Sequence, residues 1–314
     1  MIYLVMIANI VIGTRKSALA LAQSKIVCAL LKKTYPQIEI TLKEIITKGD
    51  ATLNVSLPSI GGKGLFTAEL ESSLLDRSID IAVHSLKDLP TDLGSEFNIG
   101  AILEREAYAD VLVSKDNLTL QSLPKNCIVG TSSPRRALQI HRLRSDLILK
   151  DIRGNVDTRI KKVRDGEYSA TVLAEAGINR LSLRHEIAQV LTDAEMLPAP
   201  GQGAIAVQCL KNRQDLAIIL KVIDSDSTRL CVTAERSLLH ELEAGCSAPV
   251  AALGTLSSDV LNLNCRCRGV TACIEVSDKI SLGSDRISSA ILLGKKVAKL
   301  AVDAGFVVEL PRKG

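Results

Sequence analysis

The 314-residue sequence predicts an α/β protein, with two α/β domains around a cleft and a small α+β domain after them. Three observations predict it. Short β-branched runs alternate with helix-period patterns through the first two-thirds of the chain, the arrangement of parallel sheets with helices on both faces. Two breaks interrupt the alternation, at residues 103–109 and at Leu197-Pro198-Ala199-Pro200-Gly201, and the apolar run Ala204-Ile205-Ala206-Val207 reads as a strand returning to the first domain. The last portion then changes pattern. The expected domains are residues 1–103 with 204–222, residues 109–197, and residues 226–314.

Taken in order, residues 9–12 read as a strand, and a helix from Ser17 places Leu19, Ala22, Ile26 and Leu30 on one apolar face. Residues 38–46 form the second strand, 66–75 a helix and 79–83 the third strand. In the second domain, residues 127–129 are a strand, Ser133 caps a helix with Pro134 at its first position, and residues 147–149 are the next strand. Asn155 caps a helix with Val156, Ile160 and Val163 on one face. A helix over about 228–242 groups Leu230, Ala234, Leu238 and Leu242, and Gly245 stands where a left-handed cap fits. Two or three strands and a helix over about 285–304 close the chain.

Composition narrows the function. Aromatic residues are only 2% of the chain and Trp is absent, which disfavours binding of single-stranded nucleic acid by base stacking. A net charge of +4 is too modest for a DNA-coating protein, yet suits a small anionic ligand where arginines cluster. The eight cysteines show no CxxC spacing and read as reduced thiols, with Cys265 and Cys267 on one face of a strand. The apolar start, residues 1–12, lacks a basic leader and a small-residue cleavage site, so neither a signal peptide nor a membrane span is expected. A cytoplasmic protein follows.

The chemistry is concentrated in the turns after strands. Gly13-Thr14-Arg15-Lys16-Ser17, the run from Gly130 to Arg136, and Arg153-Gly154-Asn155 each join backbone N–H groups, a hydroxyl or amide, and a guanidinium. That combination binds carboxylate or phosphate. One such turn is an ordinary cap beside a solvated arginine; three at one cleft point to an anion receptor. Gly61-Gly62-Lys63-Gly64 lacks the spacing of a P-loop and reads as a flexible loop. His84-Ser85-Leu86-Lys87-Asp88-Leu89-Pro90 crowds four polar side chains at a strand end, where Asp88 is either a turn former or an ionised group able to hold developing positive charge. Cys246 has no histidine beside it, so spacing alone makes it an idle thiol and gives a protease no support.

Together these segments resemble the porphobilinogen deaminase (hydroxymethylbilane synthase) family. The matching stretches are GTRKSALALAQ, TKGD, GGKGLFTAELE, DIAVHSLKDLP, GTSSPRRALQI, IRGNVDTR, VLAEAGINRL, PAPGQGAIAVQ and EAGCSAPV, in the family's order over residues 13 to about 250. Pro134 stands where a leucine is more usual, and Ser59 where some relatives have a lysine. The resemblance implies two α/β domains like those of periplasmic binding proteins plus the small C-terminal domain. It implies a transferase that deaminates four porphobilinogen molecules and joins them head to tail into hydroxymethylbilane, releasing ammonia.

It also implies a dipyrromethane cofactor joined by a thioether to Cys246, with Lys87, Ser85, Thr131, Ser132, Arg135, Arg136, Arg153, Gly154 and Asn155 around it. Asp88 takes the place of the catalytic aspartate, hydrogen-bonding pyrrole N–H groups and stabilising the azafulvene cation. Substrate carboxylates are assigned to Arg15, Ser17, Lys63, Arg159 and Arg180, with Phe66 and Gln202 in the same site. No metal, nucleic acid or membrane is implied, and a monomer is expected. The competing reading is a non-catalytic two-lobed protein binding an anionic solute, which needs neither Asp88 nor Cys246. A regulator on the same fold would need a DNA-binding segment, and no helix-turn-helix pattern is found.

Overall fold

The computed structural model describes residues 8–47, 67–245, 248–270 and 272–307. In chain order these form β1 (Asn9–Arg15), α1 (Ala18–Thr34), β2 (Glu39–Ile45), α2 (Ala68–Leu75), β3 (Ile81–Ser85) and β4 (Phe97–Ile102). Next come β5 (Asp110–Ser114), β6 (Ile128–Gly130), α3 (Pro134–Leu143), β7 (Ile148–Lys150), α4 (Val156–Arg164), β8 (Ala170–Ala174), α5 (Glu175–Arg180) and β9 (Gln189–Val190). Last are β10 (Ile205–Leu210), α6 (Gln214–Leu220), α7 (Asp226–Glu241), β11 (Val250–Ser257), β12 (Val260–Arg268), β13 (Cys273–Ser281) and α8 (Arg286–Asp303). They divide into two compact units, Met1–Arg105 with Ala204–Arg229, and Glu106–Gly203 with Leu230–Gly314.

The first unit holds a five-stranded sheet in the order β2-β1-β3-β10-β4. Helices cover both faces, as expected. Ile10, Ile12, Val83 and Val207 pack with Val27 and Leu31 of α1 and with Leu216 and Leu220 of α6. On the opposite face Ala82 and Leu210 meet Leu70 and Leu74 of α2. Each buried Val, Leu or Ile among these contributes about 1.5–3 kcal/mol of transfer free energy. The strand expected at residues 204–207 is β10, but it runs antiparallel to β3 and β4, so the sheet is mixed rather than parallel. An antiparallel neighbour needs no helix carried across the sheet, and β10 arrives without one.

Two local expectations fail here. Helix α1 buries Ala20, Gln23, Ser24, Val27 and Leu31, whereas Ile26 and Leu30 are 36% and 38% exposed. The buried face is rotated because Gln23 turns inward, its Nε2 donating to Ser85 Oγ at 2.8 Å. The second concerns the first anion-binding turn. β1 continues to Arg15, so Gly13, Thr14 and Arg15 stand in register with β2 residues Lys43, Glu44 and Ile45 and are not turn residues. Gly13 serves packing: a Cβ there would lie 2.3 Å from Ile79 Cδ1.

The second unit contains another five-stranded sheet, β7-β6-β8-β5-β9, with β6 parallel to β7 and β8, and β5 antiparallel to β8 and β9. Its faces are covered by α3 through Ile140 and by α4 and α5 through Ile160 and Ile178. A smaller antiparallel sheet, β11-β12-β13, follows. Its core joins Leu230, Ala234 and Leu238 of α7, Leu263, Cys265 and Cys267 of β12, and Leu293 and Val297 of α8. Two α/β domains and a small C-terminal α+β domain are therefore present. The α7 terminus differs from expectation. Glu243, not Gly245, takes the left-handed conformation, at φ 49°. Ala244 N then donates to Leu239 O and Glu243 N to His240 O, which satisfies two carbonyls of the last helical turn.

Candidate functional site

In the first unit the strand expected to end at Val83 runs on to Ser85, so His84 and Ser85 belong to β3. A single 3-10 turn, Leu86–Asp88, follows it. Leu86 and Leu89 are buried on either side, which leaves Lys87 half-buried and Asp88 exposed at the strand's carboxyl end. Ser85 accepts the Gln23 bond and so ties this turn to α1. Ser17 is the α1 N-cap, its Oγ accepting from Ala20 N at 3.3 Å. Arg15, half-buried, is the last residue of β1. His84 is 6% exposed and its Nε2 has no hydrogen-bond partner. Burial holds its pKa down to about 4, a hydrogen bond to the Gln208 side chain opposes this, and Arg15 adds repulsion. The imidazole is neutral at pH 7.

In the second unit, Ser133 caps α3 and Pro134 opens it, as the sequence predicts. The Thr131 hydroxyl accepts from Ser133 N, and the Ser132 hydroxyl both donates to Ile152 O and accepts from Ile152 N. These contacts bind the turn after β6 to the segment that leads into Arg153. Gly154 needs its lack of a side chain: φ is +110°, and a Cβ would lie 2.7 Å from Thr158. Asn155 holds the N-cap position of α4, but its side chain makes no capping bond. Arg159 folds back on its own turn, Nε donating to Gly154 O at 2.8 Å. Arg180 donates to Gly203 O at 2.6 Å, and burial lowers its pKa, with Glu106 opposing.

Arg135 and Arg136 are the main departure. The sequence places both guanidiniums at an open turn, whereas they are 4% and 7% exposed and point into their own domain. Arg135 Nη1 donates to Asp110 Oδ2 at 2.6 Å and Leu197 O at 2.7 Å. Arg136 donates to Asp110 Oδ1 through Nε and Nη2, and to Val172 O through Nη1. Burial pulls Arg135 below its ordinary value, and Asp110 works against that shift. Gln202 is fully buried, its amide donating to Tyr108 O, Ala109 O and Asp110 Oδ1, so the side chain supports Asp110 and the backbone before it.

Asp110 escaped sequence reasoning. It opens β5 with no exposed surface, and the only sign of it was a carboxylate at the head of the apolar run Val111-Leu112-Val113. One buried carboxylate facing two buried guanidiniums leaves a surplus positive charge, which suits a ligand bearing carboxylates. Lys63, Phe66 and Cys246 lie outside the described residues. The seven described cysteines are free thiols. Among the described residues no group of three or more His, Cys, Asp or Glu could hold a metal ion. No described helix is long and apolar enough to cross a membrane.

The fold is that of an α/β protein; its first unit carries an exposed aspartate at a strand end, and its second unit carries buried arginines paired with Asp110. Residues 10–218 match the family model described as "Porphobilinogen deaminase, dipyromethane cofactor binding domain", and residues 229–303 match "Porphobilinogen deaminase, C-terminal domain". The porphobilinogen deaminase of Brevibacillus brevis is 46% identical over 248 residues, covering 79% of this chain and 80% of its own. That of Syntrophomonas wolfei is 45% identical over 277 residues, 88% of this chain and 89% of its own. That of Halalkalibacterium halodurans is 39% identical over 309 residues, 98% of each. Among solved structures, the periplasmic aliphatic sulphonate binding protein SsuA from Escherichia coli overlaps 75% of each chain at a TM-score of 0.39 and 16% identity.

The chain belongs to the porphobilinogen deaminase family. It is accordingly a transferase of tetrapyrrole biosynthesis, a hydroxymethylbilane synthase that uses a dipyrromethane cofactor.

Proposed function

We propose that Asp88 is the catalytic group with which this chain condenses four porphobilinogen molecules into hydroxymethylbilane. The observation that carries this reading is its place: an exposed carboxylate at the end of a buried strand, on a turn anchored by Leu86 and Leu89. A carboxylate held there accepts pyrrole N–H groups and stabilises the positive charge that develops as the C–N bond breaks. It also pairs with the substrate's aminomethyl group, which is an ammonium at neutral pH and leaves as neutral ammonia with the C–N electron pair. Lys87 and Ser85, on the same strand end, bind beside it.

Cys246 carries the dipyrromethane in this reading, and the bound group supplies the pyrrole end on which the chain is extended. Thr131, Ser132, Arg135, Arg136, Arg153, Gly154 and Asn155 hold its carboxylates. The surplus charge at Asp110 supports that assignment, since a pyrrole chain brings several carboxylates and needs fixed cations. Substrate arms fall to Arg15, Ser17, Lys63, Arg159 and Arg180, with Phe66 in the same site, while Gln202 holds Asp110. The functional domains are residues 1–103 with 204–222, residues 109–197 and residues 226–314. A cytoplasmic monomer, independent of nucleic acid and membrane, completes the proposal. The seven free thiols support a reducing compartment.

The deciding experiment is the intact mass of the purified chain with peptide mapping around Cys246. The expected result is an added mass of two linked pyrrole units on that cysteine. A chain that stays unmodified after incubation with porphobilinogen would overturn the assignment.

A further inference from the structure

We infer that Arg266, in the C-terminal sheet, is a positioning residue for Arg135, acting through Gln139 and the Leu197 carbonyl. Arg266 lies on β12 on the face away from the α7–α8 core, yet it is only 4% exposed. Its Nε donates to Glu275 Oε1 of β13 at 2.8 Å. That contact alone would make it a strand-to-strand ion pair. The rest of the guanidinium reaches another element. Nη1 donates to Gln139 Oε1 at 2.8 Å and Asp193 O at 3.3 Å, and Nη2 to Ala194 O at 3.3 Å.

Gln139 is fully buried, and both ends of its amide are hydrogen-bonded. Its Oε1 accepts from Arg266 Nη1 and from Leu197 N. Its Nε2 donates to Leu197 O at 3.0 Å and Arg135 O at 3.3 Å. A guanidinium can only donate, so Arg266 and Leu197 N together require the amide oxygen on their side and leave the NH2 directed at Leu197 O. The same carbonyl accepts Arg135 Nη1 at 2.7 Å. An unbroken chain of buried bonds thus runs from the C-terminal sheet through α3 to the guanidinium paired with Asp110. Two more contacts grip the same segment, Ala252 N donating to Pro198 O and Gly201 N to the buried Glu235. They hold the backbone of the segment, whereas Arg266 is the side chain that, with Leu197 N, holds the direction of one amide and through it one arginine.

The inference rests on the proposal that Arg135 holds cofactor carboxylate, and the test separates the two. Full-length chain prepared without cofactor is incubated with porphobilinogen, and the gain of two pyrrole units is followed by intact mass, with thermal unfolding in parallel. Arg135→Gln is expected to slow loading about tenfold or more, the loss of one charge-assisted bond to a carboxylate. Arg266→Gln is expected to slow it about threefold to tenfold, and the double variant no further than Arg135→Gln alone. Arg266→Lys, which keeps the charge but not the fork, is expected not to rescue. Loading of Arg266→Gln at the wild-type rate, multiplicative slowing in the double variant, or rescue by lysine would overturn the inference. Wild-type loading by Arg135→Gln would overturn the anchoring role of Arg135 and the inference with it. Should Arg266→Gln fail to fold, Gln139→Met breaks the same link from the helix side and is read the same way.

Discussion

Arg136 holds Asp110 through two nitrogens, Nε at 3.1 Å and Nη2 at 2.7 Å, both on the same carboxylate oxygen. The other oxygen belongs to Arg135, and Asp110 itself has no exposed surface. The arrangement works only as a set. Removing the carboxylate leaves two buried like charges facing each other, and neither can deprotonate near neutral pH.

Asp110→Asn is therefore expected to lose about 3–5 kcal/mol of stability, the range for breaking a buried ion pair from one side. Urea unfolding of the variant and the parent checks this. A loss below about 1 kcal/mol would mean that solvent or a bound anion compensates the arginines.

Asp88 lies at the other extreme, exposed on a short turn whose flanking leucines do the packing. Asp88→Asn should change stability by no more than about 0.5 kcal/mol. Turnover should fall by about 10²-fold or more, as for loss of a charge-stabilising group. A thermal melt beside a hydroxymethylbilane assay tests both halves, and near-normal turnover would remove Asp88 from the mechanism.

His84 links the fold to pH. The folded chain takes up its proton only near pH 4 because the ring is buried, whereas the unfolded chain does so near 6.5. The stability attached to this difference is whole above pH 6.5 and is lost as the pH falls through 4. It amounts to about 3 kcal/mol at most. His84→Gln should flatten that part of the acid slope, measured as the difference in unfolding free energy between pH 7.5 and pH 4. An unchanged slope would mean that the imidazole titrates normally.

Glu243 occupies left-handed space that suits glycine better. Glu243→Gly should stabilise the end of α7 by about 1 kcal/mol and raise the thermal midpoint. The measurement is a melt of both chains in the cofactor-free form. A lower midpoint would show that the Glu243 side chain makes a contact worth more than the backbone strain.

Much of the fold was legible in the sequence, and the limits are specific. Ser133 and Pro134 announced α3, and Leu230, Ala234 and Leu238 announced the core face of α7, because capping and helical period are local properties. The inward face of α1 was misread because Gln23 and Ser24 look solvent-facing until Ser85 of β3 is set against Gln23. Glycine at 245 looked like the left-handed cap, but the hydrogen-bonding register of the last helical turn put that conformation at Glu243.

The motifs by themselves determined the family and its chemistry, since ordered short segments carry that information in one dimension. Only the tertiary structure decided what those residues face. It turned Arg135 and Arg136 inward onto Asp110, made Gln202 a support, and joined Arg266 to Gln139 across 127 positions of sequence. The reason is physical. A charge withdrawn from water must find a partner, and which partner it finds depends on chain packing that no local pattern records.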